Sequence, residues 1–240
     1  MNHQVTQLSS YGQAFDHMPL KAQILQMKVM FSELQNKFGW LGTLRFIGKI
    51  IKTQSQLKNK YGETIKTQFA DVPTSAITEL YMMTAMYLAL AQMEDKEQAY
   101  EFVKGIFQKI GPTAHETLYN IQGLLQCEGD VFTNFCQLNR SIFESSARKG
   151  FYDITELQDN ENLQFIKLTK CLNVDAFSAL GCPELARLGC DIDIAGYASD
   201  AMGNKVQLDF RRPYTIAKGS TTCEFYYYRQ GYAPEDMVTV

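Results

Sequence analysis

The hydrophobic period of the chain changes once, near Gly150, and that change limits the possible folds more than any single residue does. Before it, apolar residues recur every three to four positions, the spacing of one helix face. From about Lys21 to Phe38, residues Ile24, Met27, Val29, Met30, Phe31 and Leu34 form a broad apolar face, which Gly39 interrupts. Leu44, Ile47, Ile50 and Ile51 resume it. Pro73 opens a third helix whose run from Ile77 to Met93 is apolar on nearly all sides, so it belongs in a core. Asp95 with Gln98, and Thr113 with Glu116, have the spacing of capping boxes, in which side chains satisfy free backbone donors at a helix start. Gly111-Pro112 before the second box predicts a stop and a fresh start, with Leu118, Ile121 and Leu125 on the inner face. A helix from Asp130 to Lys149 buries Val131, Phe135, Leu138 and Ile142.

After Gly150 the segment Phe151 to Asn162 is acidic and irregular and reads as a connector. In Leu163 to Leu172, Phe165, Lys167, Thr169 and Cys171 alternate with Ile166, Leu168 and Lys170, a period of two and hence a strand. Asn173–Leu180 and Pro183–Tyr197 return to helical spacing. Val206, Leu208 and Phe210 mark a second strand, and Thr221–Arg229 a third with Cys223, Phe225 and Tyr227 on one face. Lys218-Gly219-Ser220 suits a hairpin loop, which sets Ala217 opposite Thr221 and Thr215 opposite Cys223. The expected class is α+β. A helical region, residues 1–150, packs on a smaller region, residues 151–240, of antiparallel sheet and helices, the two forming one compact unit.

Composition narrows the partners. Hydrophobic residues make up 45% of the 240 and charged residues 20%, enough apolar material for a sizeable core. Lys and Arg total 23 against 26 Asp and Glu, so there is no basic surplus to neutralise a phosphate backbone, and nucleic acid is not expected as a partner. The longest apolar stretch, Leu80 to Met93, is 14 residues. A bilayer crossing takes about 20, so no membrane span is expected. The first residues, MNHQVTQLSSYGQAFDH, lack a basic start, an apolar run and a cleavage site, which makes the cytoplasm the expected location. Six cysteines are too few for a disulfide scaffold, and a reducing compartment keeps them as thiols.

Candidate chemistry gathers in the last seventy residues. Cys190 and Asp193 lie three apart on one helix face, Cys171 ends the first strand, and Thr215 and Cys223 face each other near the hairpin. Arg211 and Arg212 offer guanidinium forks matched to a small acid. The plain alternatives are packed thiols, a solvated arginine edge, and a His115 that faces Tyr119 one turn on and makes surface or core hydrogen bonds. No Gly-rich dinucleotide loop, Walker loop or Gly-x-Ser-x-Gly elbow is present.

The ordered set FIKLTKC, LGCPELARLGCDID, RRPYTIAKG and CEF resembles the L-2-amino-thiazoline-4-carboxylic acid hydrolase family. Cys190-x-x-Asp193, Arg212-x-x-Thr215-x-Ala217-x-Gly219 and Cys223-x-Phe225 carry the likeness; Cys182 is a departure. The resemblance implies hydrolysis of a carbon–nitrogen bond in a small, amino-acid-derived cyclic amidine, with ring opening toward a carbamoyl-cysteine. It implies that one of Cys171, Cys190 and Cys223 is a nucleophile, or that several hold a divalent metal such as zinc together with Asp193. Asp193 is then general base and acid, or a ligand; Arg211 or Arg212 holds the substrate carboxylate and Thr215 donates a hydrogen bond. The absence of histidine from the last third favours metal or carboxylate-activated water over a thiolate. Two other readings stand beside it: a small-molecule binding or sensing module, and a biosynthetic enzyme that condenses or cyclises an amino-acid-derived intermediate. A homodimer through the Ile77–Met93 helix is a further possibility.

Overall fold

Gly39 sets the shape of the helical half. The computed structural model describes residues 20–240, so the reading of the amino-terminal segment falls outside the described residues. Helix α1 (Leu20–Gln68) bends at Gly39, whose φ of 67° and ψ of 176° leave the helical region and suit glycine. Its two arms pack against α2 (Thr74–Ala91), which Pro73 starts and which buries Leu80, Tyr81, Met86, Tyr87 and Leu90 within the chain. Helix α3 (Lys96–Leu118) begins at Asp95, whose carboxylate accepts from the Gln98 backbone N–H at 2.9 Å.

The expected break at Gly111-Pro112 does not occur, because α3 runs straight through both residues. Proline in a helix interior forfeits one backbone bond. Here tertiary packing outweighs that loss, since Gly111 lies flat against the backbone of a later helix, where a Cβ would come within 2.8 Å of the Ile192 carbonyl. Thr113 is therefore not a cap; its carbonyl accepts from the Thr117 hydroxyl inside the helix. The real stop is Asn120, in the left-handed region at φ 41°, after which a single turn, α4 (Ile121–Leu124), buries Ile121 and Leu124 and leaves Leu125 exposed. Asp130 caps α5 (Val131–Arg148), accepting from the Thr133 backbone at 2.8 Å.

The acidic segment after Gly150 is also a correction: Tyr152–Asp159 is strand β1 rather than a connector. It is an edge strand with two register irregularities, and charges on such an edge discourage further pairing, which masks the alternation. It pairs with β2 (Leu163–Cys171), followed by α6 (Leu172–Ala179), α7 (Ala186–Tyr197), a π-helical turn (Ala201–Lys205), β3 (Leu208–Tyr214) and β4 (Cys223–Arg229). The sheet is antiparallel throughout, in the order β1-β2-β4-β3. Ile166 faces Phe225, Leu168 faces Cys223 and Phe210 faces Tyr227 on its inner side. The ladder between β3 and β4 ends at Tyr214 and Glu224, because Ile216–Lys218 closes as a 3₁₀ turn. Ala217 and Thr221 therefore do not face across a ladder as expected, although Gly219 does take a positive φ, of 93°.

Two apolar clusters result. One joins α1, α2, α3 and α6 around Leu34, Phe46, Tyr87, Ile106 and Phe177; the other joins α5, the sheet and the end of α7 around Phe135, Ile166, Met202 and Tyr227. Helix α7 packs along α3, and the site lies on that seam. No helix among the described residues is long and apolar enough to cross a membrane.

Candidate active site

The seam between α3 and α7 can close tightly because each helix presents a glycine to the other. Gly196 on α7 lies under His115 of α3 so closely that a Cβ would stand 2.0 Å from the imidazole Nδ1. This contact presses His115 beside Asp193, which lies one turn before Gly196 on α7. His115 Nε2 is 3.8 Å from Asp193 Oδ1, and Nδ1 is 3.1 Å from the Gly111 carbonyl. A carbonyl only accepts, so Nδ1 carries the proton and Nε2 keeps its lone pair in the neutral ring. Burial lowers the His115 pKa, opposed by the Asp193 charge and the Gly111 carbonyl, and so favours the neutral form.

Strand alternation supplies the partner of Asp193. Leu208 and Phe210 face the core, so Arg212 does too, while Arg211 points to the outer face. Arg212 is 1% exposed. Its Nη1 donates to Asp193 Oδ2 at 2.9 Å and its Nη2 to the Cys190 carbonyl at 2.9 Å, with the rings of Phe210 and Phe225 beside the guanidinium. Nε has no hydrogen-bond partner among the described residues. Asp193 keeps 33% of its side chain exposed. Burial raises its pKa, and the Arg212 and His115 charges oppose that rise.

Asp193 and His115 open onto a cavity of about 170 Å³. Tyr119, Tyr152, Tyr197, Phe143 and Phe225 supply much of its wall. Behind the wall the phenols are linked. Tyr119 donates to Asn139 Oδ1 at 2.7 Å, lies 2.5 Å from the Tyr197 hydroxyl, and Tyr197 is 3.2 Å from that of Tyr227. Asn139 in turn donates to Gln164 at 2.6 Å. This chain ties α3, α5, α7 and two strands into one frame around the cavity.

The cysteines lie below, not in, that wall. Thr215 Oγ1 is 3.2 Å from Cys190 Sγ and 3.5 Å from Cys223 Sγ, and the Ile216 backbone N–H donates to Cys223 Sγ at 3.2 Å. Burial pushes the Cys171 thiol up to about 12, against the pull of the Val174 and Asn173 backbone N–H groups at the start of α6. Burial raises Cys190 too, opposed by Arg212 and Thr215. Arg211 pairs with Asp209 on the outer face of the sheet and takes no part in this cluster.

So the structure brings together Asp193, Arg212, Cys190, Thr215 and Cys223 from the residues singled out in sequence, and adds His115, Tyr119, Tyr152 and Tyr197. The one sequence signal for the additions was the four-residue spacing of His115 and Tyr119, which places both rings on one side of α3. A zinc site needs three or four converging ligands. Among the described residues no three His, Cys, Asp or Glu side chains converge, one Asp193 oxygen is held by Arg212, and two thiols are engaged with Thr215. That donor set does not fit a metal.

The family model for L-2-amino-thiazoline-4-carboxylic acid hydrolase matches residues 75–227, a span that begins in α2, ends in β4 and includes every residue of the cavity wall. No curated protein and no solved structure matches the chain. The protein belongs to the L-2-amino-thiazoline-4-carboxylic acid hydrolase family.

Proposed function

We propose that the protein hydrolyses a carbon–nitrogen bond of a small cyclic amidine, with Asp193 and His115 as the reacting groups. The observation that carries this reading is the juxtaposition, at one small cavity, of a carboxylate fixed through one oxygen by Arg212 and a buried imidazole with a free lone pair. An amidinium places its N–H groups on the free Asp193 oxygen. His115 Nε2 then takes a proton from water as the water oxygen bonds to C2 of the ring. The bond from C2 to the ring nitrogen breaks as the C2 hydroxyl becomes the carbamoyl C=O; the proton held by His115 and the hydroxyl proton both end on that nitrogen, which leaves as an ammonium group. One water is consumed, nothing is released, and the product keeps a carbamoyl group on sulfur. For the family's namesake, this is ring opening toward a carbamoyl-cysteine.

Arg212 is a positioning residue in this scheme, its two terminal nitrogens held by Asp193 and the Cys190 carbonyl. Raised thiol pKa values argue against a thiolate nucleophile at Cys171 or Cys190. We assign these thiols, with Cys223 and Thr215, to the packing that supports Arg212. The apolar cavity wall favours one rival, a binding module without turnover. The two separate when 2-amino-thiazolines are incubated with the full chain and followed by mass. Gain of one water, lost in Asp193→Asn, supports hydrolysis; saturable binding with no mass change overturns it.

A further inference from the structure

The charges around the cavity restrict what can occupy it. Among its described wall residues Asp193 carries the one fixed charge, since burial favours the neutral form of His115. Neither arginine reaches the space. Arg212 lies behind Asp193 with both terminal nitrogens engaged, and Arg211 is bound to Asp209 on the far face of the sheet. No lysine lines it. Away from Asp193 the wall is largely carbon, with Leu118, Ile142, Phe143, Ile192 and Phe225.

Resting on the cyclic-amidine reading, we propose that the substrate is a cyclic amidine whose ring carries an uncharged, apolar substituent in place of a free carboxylate. The two ends of such a molecule match the two ends of the cavity. Its amidinium, a cation near neutral pH, pairs with the carboxylate of Asp193, and its substituent lies against Ile142, Phe143 and Phe225. A substrate carboxylate has no such place. It would leave water for a carbon wall without a partner cation, in a site whose own charge is negative on the exposed side. The Asp193–Arg212 pair is neutral as a whole, so it offers no net attraction to compensate. The hydroxyls of the lining, on Thr117, Tyr119, Ser146, Tyr152 and Tyr197, are neutral dipoles and bring no positive charge to an anion.

Three 2-amino-thiazolines that differ only at C4 test this, because isopropyl, carboxamide and carboxylate each add three heavy atoms. Affinity is measured by calorimetry and ring opening by mass, with the full chain. The expected order is isopropyl tightest, carboxamide next and carboxylate weakest, with at least tenfold between the first and last in both Kd and kcat/KM. A carboxylate that binds as tightly as the isopropyl compound overturns the inference, as does failure of all three to bind. The hydrolase reading fails separately, if the compounds bind and none is opened; the order of affinities then still decides the nature of the substituent.

Discussion

Asp193 and His115 depend on each other's environment, and their pH behaviour is where that dependence is measurable. Burial raises Asp193 above 3.8 and lowers His115 below 6.5, so both lose the form the reaction needs on the acid side. kcat/KM for ring opening is therefore expected to fall on the acid side of pH 6.5, and on the alkaline side only as the amidinium loses its proton; a rise through the thiol range would instead implicate a cysteine thiolate. The stability signs differ. His115 is neutral when folded, so its contribution is full above pH 6.5 and is lost as pH falls through its depressed folded value. For Asp193 the contribution is full below 3.8 and is lost as pH rises through its raised value. The thiols give a second check. Cys223→Ser keeps a donor beside Thr215 and is expected to retain kcat/KM within about tenfold, whereas loss of a true nucleophile costs far more.

At the scale of elements, the site is a consequence of how closely α3 and α7 approach. Gly111 and Gly196 make that approach possible, and the His115 ring, tied to the Gly111 carbonyl, has nowhere to retreat. Gly196→Ala is expected to cost about 1–3 kcal/mol by overpacking and to lower ring opening with it. Urea midpoints and kcat/KM on the same preparation check this, and an unchanged midpoint would show that the seam has slack. The same seam explains what sequence could not reveal. Gly111-Pro112 has the local grammar of a helix end, and nothing nearby in sequence announces that α7 will pack over it. His115 was hidden for the same reason, because its partner Asp193 is brought to it by tertiary packing alone. By contrast, the alternation Leu208, Phe210, Arg212 already separates the buried arginine from its neighbour, since Arg211 must point the other way. The strand β1 was obscured by its edge position, where charged side chains replace a clean period of two.

Across the whole molecule, the change of period near Gly150 was the most informative feature, and the helical and sheet-bearing parts follow it. Two apolar clusters join them, and long-range polar contacts add to these at the rim. Asp130 caps α5 and also receives both terminal nitrogens of Arg229 at the end of β4, at 2.8 and 2.9 Å. The Arg229 hydrogen bonds, with the Thr133 donors, hold the Asp130 carboxyl well below the usual carboxylate range despite partial burial. Its contribution is therefore full above about pH 3.8 and is lost as pH falls through the lowered folded value. Loss of the cap in Asp130→Ala is expected to cost about 1 kcal/mol. The half-exposed ion pair adds at most a similar amount. Urea titrations at pH 7 and pH 3 read both effects, and the variant's midpoint should differ less from the wild type's at pH 3. An equal difference at both pH values would mean that the carboxylate charge does not matter.

The central claim is that Asp193, held by Arg212 and facing His115, is the group on which ring opening depends. Its most direct test compares kcat/KM of the wild type and Asp193→Asn on a 2-amino-thiazoline, with circular dichroism confirming that both are folded. A loss of about 10²–10⁴-fold is the predicted result, the range expected when a positioned acid–base or charge-pairing group is removed. A folded variant that opens the ring within a few-fold of wild type would contradict the account.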